Sequence, residues 1–104
     1  MKNLKQNLVD FRGMTLVDKN EKDEEIPISL HFVAINSLLM TGQEELSLTG
    51  VEKVRRFTLA QNIYQDPEHV ELSKEDTELL KTLIGKYAPI MVAGCAWALL
   101  DKEN

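Results

Sequence analysis

The sequence predicts a mainly helical α+β fold, in which an N-terminal β-hairpin, with a third short strand as an option, packs on about four helices. Its 104 residues fit one domain that spans residues 1–104. Four apolar segments are bounded by helix caps or helix-breaking residues, and two short apolar segments near the N-terminus flank a turn. We expect residues 1–6 and 101–104 to fray, as chain ends commonly do.

The hairpin is predicted from the turn composition of residues 10–13, which have Asp at the first position and Gly at the fourth. Its strands would be residues 7–9 and 14–17. Residues 18–25 hold seven charged side chains in eight and are predicted to form a solvated loop. Residues 69–72 alternate polar with apolar side chains, which favours a third strand that joins the hairpin.

Capping residues predict where the first two helices begin. Ser29 caps a helix over about residues 30–40, and the apolar side chains of this helix surround its whole circumference, so we expect it to be packed on several sides. Residues 41–48, which include Gly42, would end this helix and link it to the next. A capping box that begins at Thr49 starts a second helix over about residues 50–64.

The last two helices differ in character. Ser73 caps an amphipathic third helix, which Gly85 is placed to terminate. Pro89 suits the first turn of a fourth helix over about residues 90–100. The uncharged run from residue 87 to residue 100 is 14 residues long, shorter than the roughly 20 that span a membrane, so we interpret the fourth helix as a buried core element.

Composition and charge indicate which partners and which cellular compartment to expect. The net charge of −5 and the pI near 5.0 oppose nucleic-acid binding, which depends on clustered Lys and Arg. One cysteine, Cys95, cannot form an intrachain disulfide, which fits a reducing compartment. The N-terminal residues show no signal peptide, and we therefore expect a cytoplasmic protein without a membrane segment.

No catalytic, cofactor-binding or metal-binding residues are predicted. Cys95 lies in an apolar helix without a charged neighbour in sequence, which indicates a small buried packing residue. His31 and His69 sit on different elements, and no further ligands follow at a metal-site spacing. Residues 18–29, which include the acidic loop, do not match the calcium-binding EF-hand pattern. The Gly85-Lys86 pair does not match the phosphate-binding P-loop pattern.

The second helix contains the only residues that we single out as a partner-binding site. Lys53, Arg55 and Arg56 form the one compact basic group, which is either a solvated helix face or a contact for an acidic protein partner. Phe57 and Tyr64 are seven residues apart and lie on nearly one face. Because apolar residues spread widely around this helix, we expect one side to contact the core and another side to contact a subunit or partner.

Part of the sequence resembles a group of small uncharacterised proteins of tailed bacteriophages and prophages. The similar stretches are residues 49–60, 70–76 and 83–86, then Pro89 and residues 96–100. The resemblance implies expression in a bacterial cytoplasm during phage development, or incorporation into a virion. It implies no catalytic residues, because the similar positions are caps, glycines and apolar residues that specify a fold.

Three functions follow as expectations. The first is a non-enzymatic accessory protein that binds a phage or host protein, with a homodimer as an option. The second is a minor virion component or a tail-assembly chaperone. The third is a small hydrolase or nucleotide-binding protein, whose site would form only in the fold if His31 and His69 converge with acidic residues.

Overall fold

Four helices and one two-stranded antiparallel sheet make up the described part of the protein, which is residues 2–40 and 47–102 of a computed structural model. The mainly helical α+β class is confirmed. Met1 and residues 103–104 lie outside the described residues, as do residues 41–46, where most of the predicted link after the first helix falls. The elements in chain order are β1 (Val17–Lys19), β2 (Glu25–Pro27), α1 (Leu30–Leu39), α2 (Gly50–Gln65), α3 (Lys74–Tyr87) and α4 (Ile90–Asp101).

The regular sheet lies one segment later than the sequence predicts. Residues 7–9 and 14–17 do face each other around the predicted turn, but only as a single bridge pair between Val9 and Thr15. The paired strands β1 and β2 instead include both ends of the predicted loop 18–25. That prediction was wrong at those ends because the Asn20 side chain accepts hydrogen bonds from two backbone N–H groups and so closes a tight turn between the strands.

The N-terminal segment is packed into the fold, so the prediction that residues 1–6 fray was wrong over residues 2–6. Leu4 is 1% exposed, and its N–H donates to the carbonyl oxygen of Pro67 at 2.7 Å. Lys2 forms an isolated antiparallel bridge with Val70. The predicted third strand therefore pairs at Val70 with the N-terminal segment and not with the hairpin.

Three chain segments meet at the buried residue Leu8. The N–H of Leu8 donates to Ile28, that of Ile28 donates to Leu16, and that of Leu16 donates back to Leu8, at 2.8–2.9 Å. This closed set of backbone hydrogen bonds joins the N-terminal segment to both flanks of the sheet. The Leu8 side chain is fully buried in the core.

The predicted helix caps are all present. Ser29, Thr49 and Ser73 each accept a hydrogen bond from the backbone N–H three residues later, which satisfies a free donor of the first turn. Helix α1 is central as predicted, since it contacts the other three helices. The buried apolar residues form one core: Leu4, Leu8, Leu30, Val33, Ala34, Leu38, Leu59, Ala60, Ile63, Val70, Leu80, Leu83, Ile84, Ala96 and Leu100.

Gly85 does not terminate α3, which continues to Tyr87. A Cβ atom at Gly85 would lie 3.3 Å from Trp97 Cζ2, so the glycine leaves room for the indole ring. The indole N–H donates to the carbonyl oxygen of Lys81 at 2.9 Å, and the ammonium of Lys81 bonds Asp101 at 2.7 Å. Asp101 therefore belongs to an ordered contact between α3 and α4, although it was expected to fray.

Helix α4 lies at the surface, and its interpretation as a buried core helix was wrong. Only Ala96 and Leu100 of this helix are buried, whereas Ile90 is 94% exposed. The reason is that α4 packs on α3 and touches α1 along one side, while no other described element covers its opposite side. No helix in the described ranges has the length and apolar character needed to cross a membrane.

Candidate protein-binding face on α2

Helix α2 buries one side and exposes large apolar side chains on the other. Its buried residues, Leu59, Ala60 and Ile63, face the core, and the helix packs against α1. The exposed side includes four large apolar residues, at 58–80% exposure, which we call the α2 face: Val51, Val54, Phe57 and Tyr64. Large apolar side chains grouped on one helix face are typical of an interaction surface.

Phe57 and Tyr64 lie on this face as the sequence predicts. They are separated by about 10 Å along the helix axis, which is seven residues of helical rise. Phe57 is 58% exposed and Tyr64 is 76% exposed. Ala60, which stands between them in sequence, is 5% exposed and marks the border between the α2 face and the core.

The structure divides the three basic residues into two groups. Arg55 lies on the side towards α3, where its guanidinium forms ion pairs with Asp76 at 3.2 Å and Glu52 at 3.7 Å. Lys53 and Arg56 line a small cavity of about 280 Å³ next to Phe57. The structure therefore brings together Lys53, Arg56 and Phe57 around one cavity, whereas Arg55 faces α3.

The end of α1 supplies the opposite wall of this cavity. Leu38, Leu39 and Met40 line it, and Leu39 and Met40 are at least half exposed. These α1 residues are not among the site residues that the sequence predicts. The available signal was the apolar circumference of α1, which carries more large side chains than a small core covers.

The chemistry of the site is that of an apolar surface with a cationic edge. Lys53 is exposed and forms no ion pair with another described residue. Phe57 follows one helical turn further along α2, and both residues line the same cavity. Such a surface can bind a segment that offers apolar side chains flanked by carboxylates, because apolar burial supplies affinity and charge complementarity supplies orientation.

The two histidines and the cysteine lie on different parts of the chain. His69 Nδ1 lies 3.1 Å from Asp66 Oδ1, whereas the buried Nδ1 of His31 has no hydrogen-bond partner in the described part of the chain. Cys95 is half-buried, not buried as predicted, and its thiol donates to the carbonyl oxygen of Val9 at 3.2 Å. Within residues 2–40 and 47–102, no cluster of three or more His, Cys, Asp or Glu could hold a metal ion.

Comparisons with known proteins give no assignment of family. No protein-family model, no curated protein and no solved structure matches the chain.

Proposed function

We propose that the protein is a non-enzymatic accessory protein that binds an acidic, amphipathic segment of another protein on the α2 face. The observation that carries this proposal is the exposure of Val51, Val54, Phe57 and Tyr64 on a helix that buries Leu59, Ala60 and Ile63 on its other side. Burying these side chains against a partner stabilises the complex by about 25 cal/mol for each Å² of apolar surface removed from water.

The basic edge favours a partner of different sequence over a second copy on this face. In a two-fold contact, each surface patch meets the same patch of the other copy. The exposed Lys53 of one copy would then lie close to Lys53 of the other, and like charges oppose such a contact. Carboxylates on a different protein would instead complement this lysine.

We further propose that binding takes place in the bacterial cytoplasm during phage development, with a virion as the alternative location. The support for this setting is the resemblance of residues 49–60, 70–76 and 83–86 to small phage and prophage proteins. The partner would then be a phage or host protein. Co-purification with phage particles would favour the virion.

Affinity capture with matched variants tests the proposal. Tagged wild-type protein is compared with Phe57→Glu and Tyr64→Glu, and bound proteins are identified by mass spectrometry from bacteria in which a phage is developing. We expect a partner that binds wild type and is lost from both variants, since removing an interface anchor weakens binding by about thirtyfold or more. Raising the salt concentration should weaken the same contact because its rim is charged.

Met14→Glu is the matched control, since Met14 is 61% exposed and lies outside α2. It should retain the partner. Circular dichroism of all three variants should match wild type, because the altered side chains point into solvent. A partner that binds Phe57→Glu and Tyr64→Glu as tightly as wild type would exclude the α2 face.

A further inference from the structure

A pocket of about 710 Å³ lies where α1, β1 and the turn between α3 and α4 come together. We call it the α1–β1 pocket. Its walls include Val17 from β1, Val33 from α1 and Val92 from α4. The volume falls within the roughly 300–1,000 Å³ of pockets that bind small molecules. No residue of the α2 face lines it, so the α1–β1 pocket is a separate feature of the molecule.

Helix α1 places two polar side chains among the apolar walls of this pocket. Ser37 lies one helical turn after Val33 and is 3% exposed, yet its hydroxyl forms no hydrogen bond with another described residue. The side-chain amide of Asn36, which also lines the pocket, forms none either. A buried hydroxyl normally has a hydrogen-bond partner. The Ser37 hydroxyl therefore offers an unused acceptor to a molecule in the pocket.

Asp18 supplies the only charge among the described residues that line the pocket. Its Oδ1 accepts the backbone N–H of Lys19 at 2.8 Å, whereas the Lys19 ammonium pairs with Asp23 at 3.5 Å. No cation of a described residue forms an ion pair with Asp18. Because this carboxylate repels anions and attracts cations, it favours a positively charged ligand, and the net charge of −5 adds to the attraction.

Phe32 supplies an aromatic ring to the same pocket. It is 50% exposed, so part of the ring is open to a ligand. Cations are attracted to the face of an aromatic ring at distances within about 6 Å of its centre. Tyr87 also lines the pocket, and the Lys86 ammonium lies 5.5 Å from the centre of its ring. Because Lys86 is already close to Tyr87, Phe32 is the ring that a ligand cation can use.

We propose that the α1–β1 pocket binds a small organic amine. Its ammonium pairs with Asp18, and its polar end donates to the Ser37 hydroxyl. Its apolar body packs on Phe32 and the valine walls, where burial from water supplies most of the affinity. The charge of Asp18 selects amines over carboxylic acids of the same shape. The proposal goes beyond protein binding at the α2 face and does not depend on it.

An NMR titration of the isotope-labelled full chain tests the proposal with two probes, β-naphthylmethylamine and β-naphthoate. The probes share one ring system and differ in the sign of their charge. We expect the amine to shift the amide signals of the residues that line the pocket, with a dissociation constant of about 1 mM or lower. The carboxylate should bind at least about tenfold more weakly.

Two variants test the roles of the polar side chains. Asp18→Asn should weaken amine binding at least about threefold and reduce the difference between the probes, since an exposed ion pair is lost. Ser37→Ala should also weaken amine binding. Without a probe, urea denaturation should show Ser37→Ala to be as stable as wild type, because the change breaks no hydrogen bond within the protein.

Glu25→Gln is the matched control, because it removes the same charge from β2, where Glu25 is opposite Lys19 and outside the pocket lining. It should bind the amine like wild type. An amine that does not bind, two probes that bind equally, or equal weakening by Glu25→Gln and Asp18→Asn would each overturn the proposal. Phe57→Glu should bind the amine like wild type, so this proposal and the one for the α2 face can fail separately.

Discussion

At the scale of single residues, Asp10 shows how one buried carboxylate organises a turn. Its side chain is 2% exposed and accepts hydrogen bonds from the backbone N–H groups of Met14 and Arg12. The Met14 N–H is the main cause that lowers the pKa of Asp10 below its usual range, and the Arg12 guanidinium at 3.0 Å adds to it, while burial opposes both. The ionised carboxylate therefore stabilises the folded chain.

This lowered pKa predicts a pH dependence of stability. The stability that Asp10 contributes is fully present at pH values above the pKa that Asp10 has in the unfolded chain. It is lost as the pH falls through the lower pKa that Asp10 has in the folded chain. Asp10→Asn should therefore be less stable than wild type at neutral pH, and the difference should shrink between about pH 5 and about pH 2. Urea denaturation at several pH values measures it, and a difference that stays constant over this range would contradict the role of the charge.

The local sequence did not predict that Gly85 makes room for a side chain of another helix. Gly85 fits the pattern of a helix end, yet the structure places it against Trp97 inside α3. The deciding contact comes from a residue 12 positions later, on another helix. A sequence pattern reports local preferences, and this close approach is set by tertiary packing.

At the scale of elements, the N-terminal segment contributes far more than its sequence indicates. Leu4 and Leu8 are both buried, and the Lys2 side chain donates hydrogen bonds to the carbonyl oxygens of Leu100 and Lys102 at 2.7 and 2.9 Å. These bonds satisfy acceptors at the C-terminal end of α4, where a positive charge is favoured by the helix dipole. The N-terminal segment thereby connects the start of the described chain to the C-terminal end of α4.

Leu4→Ala tests this contribution. Because Leu4 is 1% exposed, we expect a loss of about 2–5 kcal/mol in the free energy of unfolding, measured by chemical denaturation. Lys5→Ala is the control, since the Lys5 side chain is 60% exposed and its ion pair with Glu68 at 3.7 Å contributes at most about 1 kcal/mol. Equal stabilities of the two variants would show that the segment is frayed in solution.

The helices were predicted more accurately than the strands, for a physical reason. Helix caps such as Ser29, Thr49 and Ser73 act within one turn, so the local sequence is sufficient to place them. The bonds that join Leu8, Leu16 and Ile28 connect residues 8 to 20 positions apart, and their register depends on the whole fold. The shared side of Phe57 and Tyr64 could be predicted because both lie on one helix, whereas the neighbouring α1 residues Leu39 and Met40 could not.

At the scale of the whole molecule, the protein has one small core and two apolar faces that this core does not use. The α2 face has a cationic edge at Lys53, whereas helix α4 has no charged residue from Ile90 to Leu100. In our proposal, the cationic edge selects an acidic segment of another protein for the α2 face. The net charge of −5 opposes non-specific association of copies through these apolar surfaces.

The central claim is that another protein contacts the α2 face. Site-specific photocrosslinking in cells that naturally express the protein tests it most directly, with p-benzoylphenylalanine in place of Phe57 and, as control, in place of Lys22 in the exposed turn between β1 and β2. The account predicts a crosslink from position 57 to one different protein and none from position 22. A crosslink pattern that is the same at both positions, or a product made only of two copies of this chain, would contradict it.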